Sequence, residues 1–315
     1  MSVSPEGPGS VAAGAKLFAV SDLHIGYQEN REITASLQPE SEGDWLIVAG
    51  DVAEKVEDVE WALRLLAGRF AKVVWVPGNH ELWTHPSDPV TLRGVARYER
   101  LVELCRELGV VTPEDEFPVW TGEGGPLTIA PMFLLYDYSF RAPGTTTKEE
   151  SLKVAYDTGV VCSDERFLEP DPYPTREDWC RARIEYTRGR LDALAPDTQT
   201  VLINHWPVEK HPNNILRYPQ FAQWCGTTLS ADWHRRYRAA VVVYGHLHIP
   251  RRTWLDGVRF EEVSVGYPRE WRMWGQRTWL RQVLPAPEGV AAPEGGTDIS
   301  FHRLWPKPED EPSRA

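Results

Sequence analysis

The feature that most constrains this chain is an apolar run that stops on glycine and at once presents three polar side chains. KVVWVPGNHE, residues 72–81, has this form. Its first half reads as a buried β-strand, rich in β-branched and aromatic residues. A turn accounts for Gly78 and Asn79 but not for His80. The same event recurs along the chain. KLFAVSD (16–22) leads to Asp22 and His24, and DWLIVAGD (44–51) ends on Asp51. TVLINH (200–205) ends on His205, and AAVVVYGH (239–246) leads to His246 and His248. Such a chain needs a fold that gathers strand ends. In an α/β sheet, the carboxyl ends of the strands open onto one crevice.

Between these strands, 56–69, 91–108 and 175–194 carry helical patterns, the last with Thr175 as N-cap and Glu177 and Asp178 in its first turn. LTIAPMFLLYDYS (127–139) starts as a strand, and RRTWLDG with VRFEEVSVG closes the series in a hairpin-like end. Strand–helix alternation predicts a layered α/β domain. We expect one domain over 15–284, with a flexible, Gly/Ser/Pro-rich N-terminus at 1–14 and a linker and tail at 285–315. Segments 132–172 and 206–235 read as inserts that wall the cleft. Within them Tyr136, Tyr138, Trp206 and Trp224 are candidates for holding substrate, although core packing explains each of them equally well.

Composition excludes several classes. The four cysteines (Cys105, Cys162, Cys180, Cys225) form no C-x-x-C pair, which argues against a thiolate zinc site or a disulfide frame. The start lacks the basic and apolar regions of a signal peptide, and no apolar run approaches the roughly 18 residues of a membrane span. The expectation is a cytoplasmic protein with no membrane partner. A net charge of −12 argues against nucleic-acid binding. One stretch runs against that charge: residues 233–281 hold ten arginines and four acids, a candidate basic face.

The residues at the strand ends are metal donors by type. Carboxylate, imidazole and amide oxygen without thiolate suit Mn, Fe or Zn. If the segments are extended, positions i and i+2 share a side, so Asp22 pairs with His24 and His246 with His248. Asp22, His24, Asp51, Asn79, His205, His246 and His248 are too many for one ion and suit two with a shared carboxylate. Two such ions can stabilise the attacking and leaving oxygens of a phosphate ester together. Taken singly, D-x-H is usually a turn or a cap and G-D says little; the series in this order is what carries the chemistry. His85, His211, His234 and His302 fit no such spacing.

The series Asp22-x-His24, Gly50-Asp51, Gly78-Asn79-His80-Glu81, His205 and Gly245-His246-x-His248 resembles the motifs of the calcineurin-like metallophosphoesterases. The resemblance implies a four-layer αββα sandwich of two mixed sheets. It also implies roles: Asp22, His24 and His248 on one ion, Asn79, His205 and His246 on the other, Asp51 on both, and His80 facing the scissile phosphate. It implies a hydroxide between the ions as nucleophile. After Gly50-Asp51 the chain continues Val52-Ala53 and departs from the frequent G-D-x-x-D/G pattern, so the residue that orients His80 stays open. VAGDVAE, VPGNHELW, PMFLLYDYSF, WCGTT, ADWHRRY, YGHLHIPR and FEEVSVGYPREW are similar to an actinobacterial group within that family. Its members remove 4′-phosphopantetheine from holo acyl carrier proteins. Three alternatives remain at this level: hydrolysis of nucleotides or other small diesters, a phosphoprotein phosphatase, and a non-catalytic scaffold. Walker-type and G-x-S-x-G motifs are absent, which leaves NTPase and serine-hydrolase readings without support.

Overall fold

The strand residues divide by alternation into two buried sets, and that division sets the layers. The computed structural model describes residues 11–274 and 278–297. The expectations for residues 1–10 and for the tail from 298 onward lie outside the described residues. Among the described residues, ten strands form two sheets. The strands are β1 (Leu17–Val20), β2 (Trp45–Val48), β3 (Lys72–Trp75), β4 (Val119–Trp120), β5 (Leu127–Pro131), β6 (Thr200–Ile203), β7 (Ala239–Tyr244), β8 (Arg251–Leu255), β9 (Val258–Glu262) and β10 (Arg281–Leu284). One sheet has the order β10-β1-β2-β3, the other β4-β5-β6-β7-β9-β8. β1, β2 and β3 run parallel, as do β5, β6, β7 and β9, while β10, β4 and β8 are antiparallel edge strands.

Leu17, Ala19, Ile47 and Val74 of the first sheet share one buried cluster with Ile129, Val201, Ile203, Val241 and Val243 of the second. This is the layer between the sheets. Their alternates Phe18, Val20, Val48, Trp75, Leu202, Val242 and Tyr244 belong to the other cluster, together with helix residues. Strands buried on both faces explain why the runs are apolar throughout rather than alternating. The result is the expected helix–sheet–sheet–helix sandwich.

The helices are α1 (Gln28–Ser36), α2 (Val56–Ala67), α3 (Asn79–Leu82), α4 (Gly94–Glu107), α5 (Lys148–Asp157), α6 (Asp164–Phe167), α7 (Arg176–Asp192), α8 (Trp233–Arg236) and α9 (Pro268–Trp274). α2 buries Val56, Val59, Ala62, Leu63 and Leu66, the spacing read from sequence. α7 starts as expected, with the Thr175 side chain accepting from the Asp178 amide.

The two sheets meet where β1 and β9 end. Ser21 N–H donates to Val263 O (3.0 Å) and Val265 N–H donates to Ser21 O (2.8 Å), a parallel bridge outside both sheets. His246 N–H, just past β7, donates to the Asp22 carboxylate (3.1 Å). The carboxyl ends of both sheets therefore face the same end of the molecule.

Candidate active site

Each donor is delivered by a turn that immediately follows a strand. Asp22, His24, Asp51, His246 and His248 all hold positive φ, between 42° and 70°. This corrects the sequence reading of the D-x-H and H-x-H segments as extended. Left-handed turns, not a pleat, aim both members of each pair inward, while Leu23 and Leu247 between them pack into the core. Glycine makes the crowding tolerable. A Cβ on Gly78 would overlap Asp51 Oδ1, and one on Gly245 would overlap Asp22 Oδ2 and Ser21 Oγ.

All seven donors converge in two clusters. Asp22, His24, Asp51 and His248 form one; Asp51, His205 and His246 form the other, with Asn79 Oδ1 3.1 Å from His246 Nδ1. Asp51 belongs to both. Its Oδ2 lies 3.9 Å from His24 Nε2 and 3.4 Å from His205 Nε2.

Hydrogen bonds on the outer side of the rings fix which atom faces inward. His205 Nδ1–H donates to Ala49 O (2.8 Å), which leaves the Nε2 lone pair facing His246 Nδ1 at 3.2 Å. His248 Nδ1–H donates to Glu270 (2.7 Å), which leaves its Nε2 facing Asp22 Oδ1 at 2.9 Å and His24 Nε2 at 3.1 Å. Asn79 donates its amide to Asp164 (2.9 Å) and turns its oxygen inward. Acceptor atoms at such separations repel unless a cation lies among them.

With protons as the only cations, each histidine pair divides the charge unequally. Burial lowers the pKa of every ring. In His205 the Asp51 and Asp22 charges outweigh it and lift the pKa to about 9. In His248, Asp22 and Glu270 lift it well above the ordinary value. His24 and His246 are held down at about 3 by burial and by their charged neighbours. Neutral rings and buried carboxylates converging on two centres fit two divalent ions.

The family model for calcineurin-like phosphoesterases matches residues 15–250. The chain belongs to the calcineurin-like phosphoesterase family. It is 58% identical over 285 residues to "[Acyl-carrier-protein] phosphodiesterase PptH" of Mycobacterium tuberculosis, covering 90% of this chain and 88% of that protein. The crystal structure of Phosphopantetheinyl Hydrolase (PptH) from M. tuberculosis superposes with a TM-score of 0.86 at 57% identity, over 88% of this chain and 99% of that one.

This phosphoesterase site also answers what the sequence reading left open. His80 Nδ1 lies 2.9 Å from Glu54 Oε1, so Glu54 orients the ring. Glu54 is the third residue after Asp51, the last position of the G-D-x-x-D/G pattern; the departure amounts to Glu in place of Asp. Burial opposes both charges of this pair. Nonetheless, Asp51 and Glu54 raise the His80 pKa, and His80 lowers that of Glu54 to about 2. The His80 ring lies tilted against Trp83 (3.7 Å between centroids), and its Nε2 lies 3.4 Å from the Tyr267 hydroxyl.

Two further carboxylates escaped the sequence reading. Glu81 accepts from the amides of Gly78 (3.0 Å), Asp51 (2.9 Å) and Val52 (2.9 Å), tying the β2 and β3 turns together. Burial, then the Asp51 charge, pushes its carboxyl up to about 7. Glu270 holds His248 and accepts from Tyr267 N–H (2.9 Å). Both stand in stretches noted above, GNHE and GYPREW, but a carboxylate that binds only its own neighbourhood has no spacing signature.

The four aromatic candidates take no part in lining the cleft beside the site. Tyr136, Tyr138, Trp206 and Trp224 are wholly buried and pack the core behind the site. Tyr138 and Trp224 donate to Glu165 (2.7 and 2.8 Å), and Trp206 sets its edge against His205. Burying such rings yields more than exposing them. The surface open beside the site is instead a cleft of about 820 Å³, formed by 158–161, 216–221, 247–249 and α9.

Proposed function

We propose that this chain hydrolyses the phosphodiester joining 4′-phosphopantetheine to a serine of a holo acyl carrier protein, releasing 4′-phosphopantetheine and the apo protein. The observation that carries the reading is 58% identity across 90% of the chain to the mycobacterial acyl-carrier-protein phosphodiesterase, together with a full set of donors at the strand ends.

In this reading Asp22, His24 and His248 would hold one ion, Asn79, His205 and His246 the other, with Asp51 available to both. Two divalent ions, Mn and/or Fe with Zn as a third fit, would supply Lewis acidity and positive charge to the phosphoryl oxygens. The chain does the rest. Ser21 and Ser264 donate to Asp22 (2.5 and 2.7 Å) and fix its rotamer. Ala49, Glu270 and Asp164 set the faces of His205, His248 and Asn79. Water contributes the oxygen that bonds to phosphorus as the bond from phosphorus to the serine oxygen breaks. His80, charged and oriented by Glu54, gives a proton to that serine oxygen as it leaves.

No helix among the described residues is long and apolar enough to cross a membrane. Four free cysteines support a reducing compartment, and we place the reaction in the cytoplasm. The net charge of −12 disfavours a nucleic-acid partner.

Intact-mass analysis of a holo carrier protein incubated with the enzyme tests the proposal. The expected result is loss of the mass of 4′-phosphopantetheine, abolished by a chelator and restored by Mn or Fe. An unchanged mass beside brisk hydrolysis of a chromogenic diester would establish the small-diester reading instead.

A further inference from the structure

The cleft beside the site has a composition that the chemistry at phosphorus does not need. Val161, Tyr218 and Met273 at its rim are 69%, 48% and 64% exposed, on a chain that buries most of its large apolar residues. Apolar surface gathered in a concavity marks a binding site. The cleft joins the candidate metal centre at two points. His248 and Glu270 form part of its wall, and Phe221, also in the wall, stacks on His246 (5.8 Å between centroids, 21° between planes). His80, Glu54 and Trp83 take no part in its lining. The proton donor thus stands outside the cleft's lining.

The charges of the lining narrow the occupant. Its acid is Glu270, whose Oε2 already accepts from His248 and from the Tyr267 amide. The remaining charged groups are Arg217 and Arg269, with Arg269 Nε 3.9 Å from the other Glu270 oxygen. A cationic ligand finds no carboxylate to meet it. A slender neutral chain of aliphatic and amide groups, carrying a phosphate at the end nearest His248, matches both the apolar walls and the positive flanks.

Resting on the function proposed above, we infer that this cleft receives the pantetheine arm of the substrate and thereby presents the serine ester oxygen, not the pantetheine ester oxygen, to His80. A phosphodiester has two ester oxygens, and only the one beside the proton donor leaves easily. With the arm lying along Phe221 and Met273, the serine side is directed toward His80 and Tyr267. The bond from phosphorus to the serine oxygen then breaks, water supplies the new oxygen on phosphorus, and the arm keeps the phosphate. Specificity for the arm and choice of bond have the same structural origin.

The test uses the double variant Val161→Trp/Met273→Trp, two exposed positions where added bulk narrows the cleft without entering the core. Three substrates are compared: a chromogenic small diester, a short peptide bearing phosphopantetheinyl-serine, and a holo carrier protein. The expected result is that kcat/KM for peptide and for protein, each relative to the small diester, falls about tenfold or more, the scale of steric discrimination in an apolar pocket. An unchanged ratio for the peptide overturns the inference; if only the protein ratio falls, the cleft is a protein-docking surface. A second measurement stands apart from the proposed function. In the wild type, 4′-phosphopantetheine should inhibit small-diester hydrolysis more tightly than inorganic phosphate, and the double variant should lose that margin. Equal inhibition in the wild type overturns the cleft assignment even if carrier protein is cleaved. Tighter inhibition without carrier-protein cleavage supports the cleft and refutes the proposed function.

Discussion

Five of the seven donor residues sit in the left-handed backbone region, where a non-glycine residue costs roughly 1–2 kcal/mol. Nothing in their identity demands that conformation; the turns impose it, and hydrogen bonds such as Asp22 N–H to Gly50 O (2.9 Å) and His24 N–H to Asp51 O (3.0 Å) maintain it. Strain of this kind gathers where function over-determines geometry. The donor types and their order were legible in sequence because chemistry restricts them; their backbone angles were not, because a left-handed turn at Asp or His leaves no compositional trace. His80 stands beside the seven, outside both of their clusters. It follows Asn79 in α3, it is buried, and its Nδ1 is committed to Glu54. We expect His80→Ala to keep its metal content and lose about 10²–10⁴ in turnover on an alkyl phosphodiester. A p-nitrophenyl ester, whose leaving group needs no proton, should lose much less. Glu54→Gln should follow the same leaving-group pattern with a smaller loss, about 10-fold to 100-fold by analogy with other orienting carboxylates. Equal losses on both esters, or loss of bound metal from His80→Ala by elemental analysis, would refute proton donation by this ring.

Elements were legible where their buried face is apolar. β1, β2, β3, β5, β6, β7 and the β8–β9 hairpin stand where the runs placed them, and α2 and α4 follow their helical spacing. α1 and α5 went unread for a physical reason. The fully buried residues of α1 are Asn30 and Thr34, and those of α5 are Ser151 and Ala155. Asn30 donates to Leu23 O (2.8 Å) and Gly266 O (2.9 Å), binding the turn after β1 to the stretch after β9. A helix that packs through hydrogen bonds gives hydrophobic periodicity nothing to report. β4 has two residues and β10 is an edge strand, so neither offers a window long enough to read. The close approach of the β7 and β1 ends yields an element-scale prediction. Gly245→Ala places a methyl group on Asp22 Oδ2 and Ser21 Oγ, both held in the core. The strands must separate, at a cost of about 1–3 kcal/mol typical of overpacking. A lower melting temperature, with bound metal falling from about two ions to one or fewer per chain, is expected in calorimetry and elemental analysis. An unshifted melting point with full metal content would mean that the strand ends have slack.

The charge of the whole molecule decides how an acidic carrier protein can approach. At −12 the chain repels it at long range, so capture needs a local positive surface. By sequence the arginine-rich stretch 233–281 offers one, but folding redistributes its charge. Arg252, Arg259 and Arg281 gather around buried Glu261. Arg236 pairs with Asp192 and Arg272 with Glu29, acids outside the stretch that a sequence window does not include. Arg277 lies outside the described residues. Direction along the sheet matters as much. Arg235 and Arg236 belong to α8, which precedes β7, whereas the site follows the carboxyl end of that strand. They are therefore far from the cleft. Arg217 and Arg269 are at it; Arg269 is 81% exposed, with its Nε 3.9 Å from Glu270. We expect Arg235→Glu/Arg236→Glu to cleave holo carrier protein and a small diester at wild-type rates. Arg217→Glu/Arg269→Glu should lower the ratio of carrier-protein to small-diester kcat/KM by about tenfold or more at low salt, within the 10–10³ range of electrostatic steering. Raising ionic strength should slow the wild type on carrier protein and erode the difference between it and this variant, because the Debye length shrinks from about 30 Å at 0.01 M to about 8 Å at 0.15 M. If both reversals act alike, or salt leaves the ratio unchanged, the approach is not steered from the cleft rim.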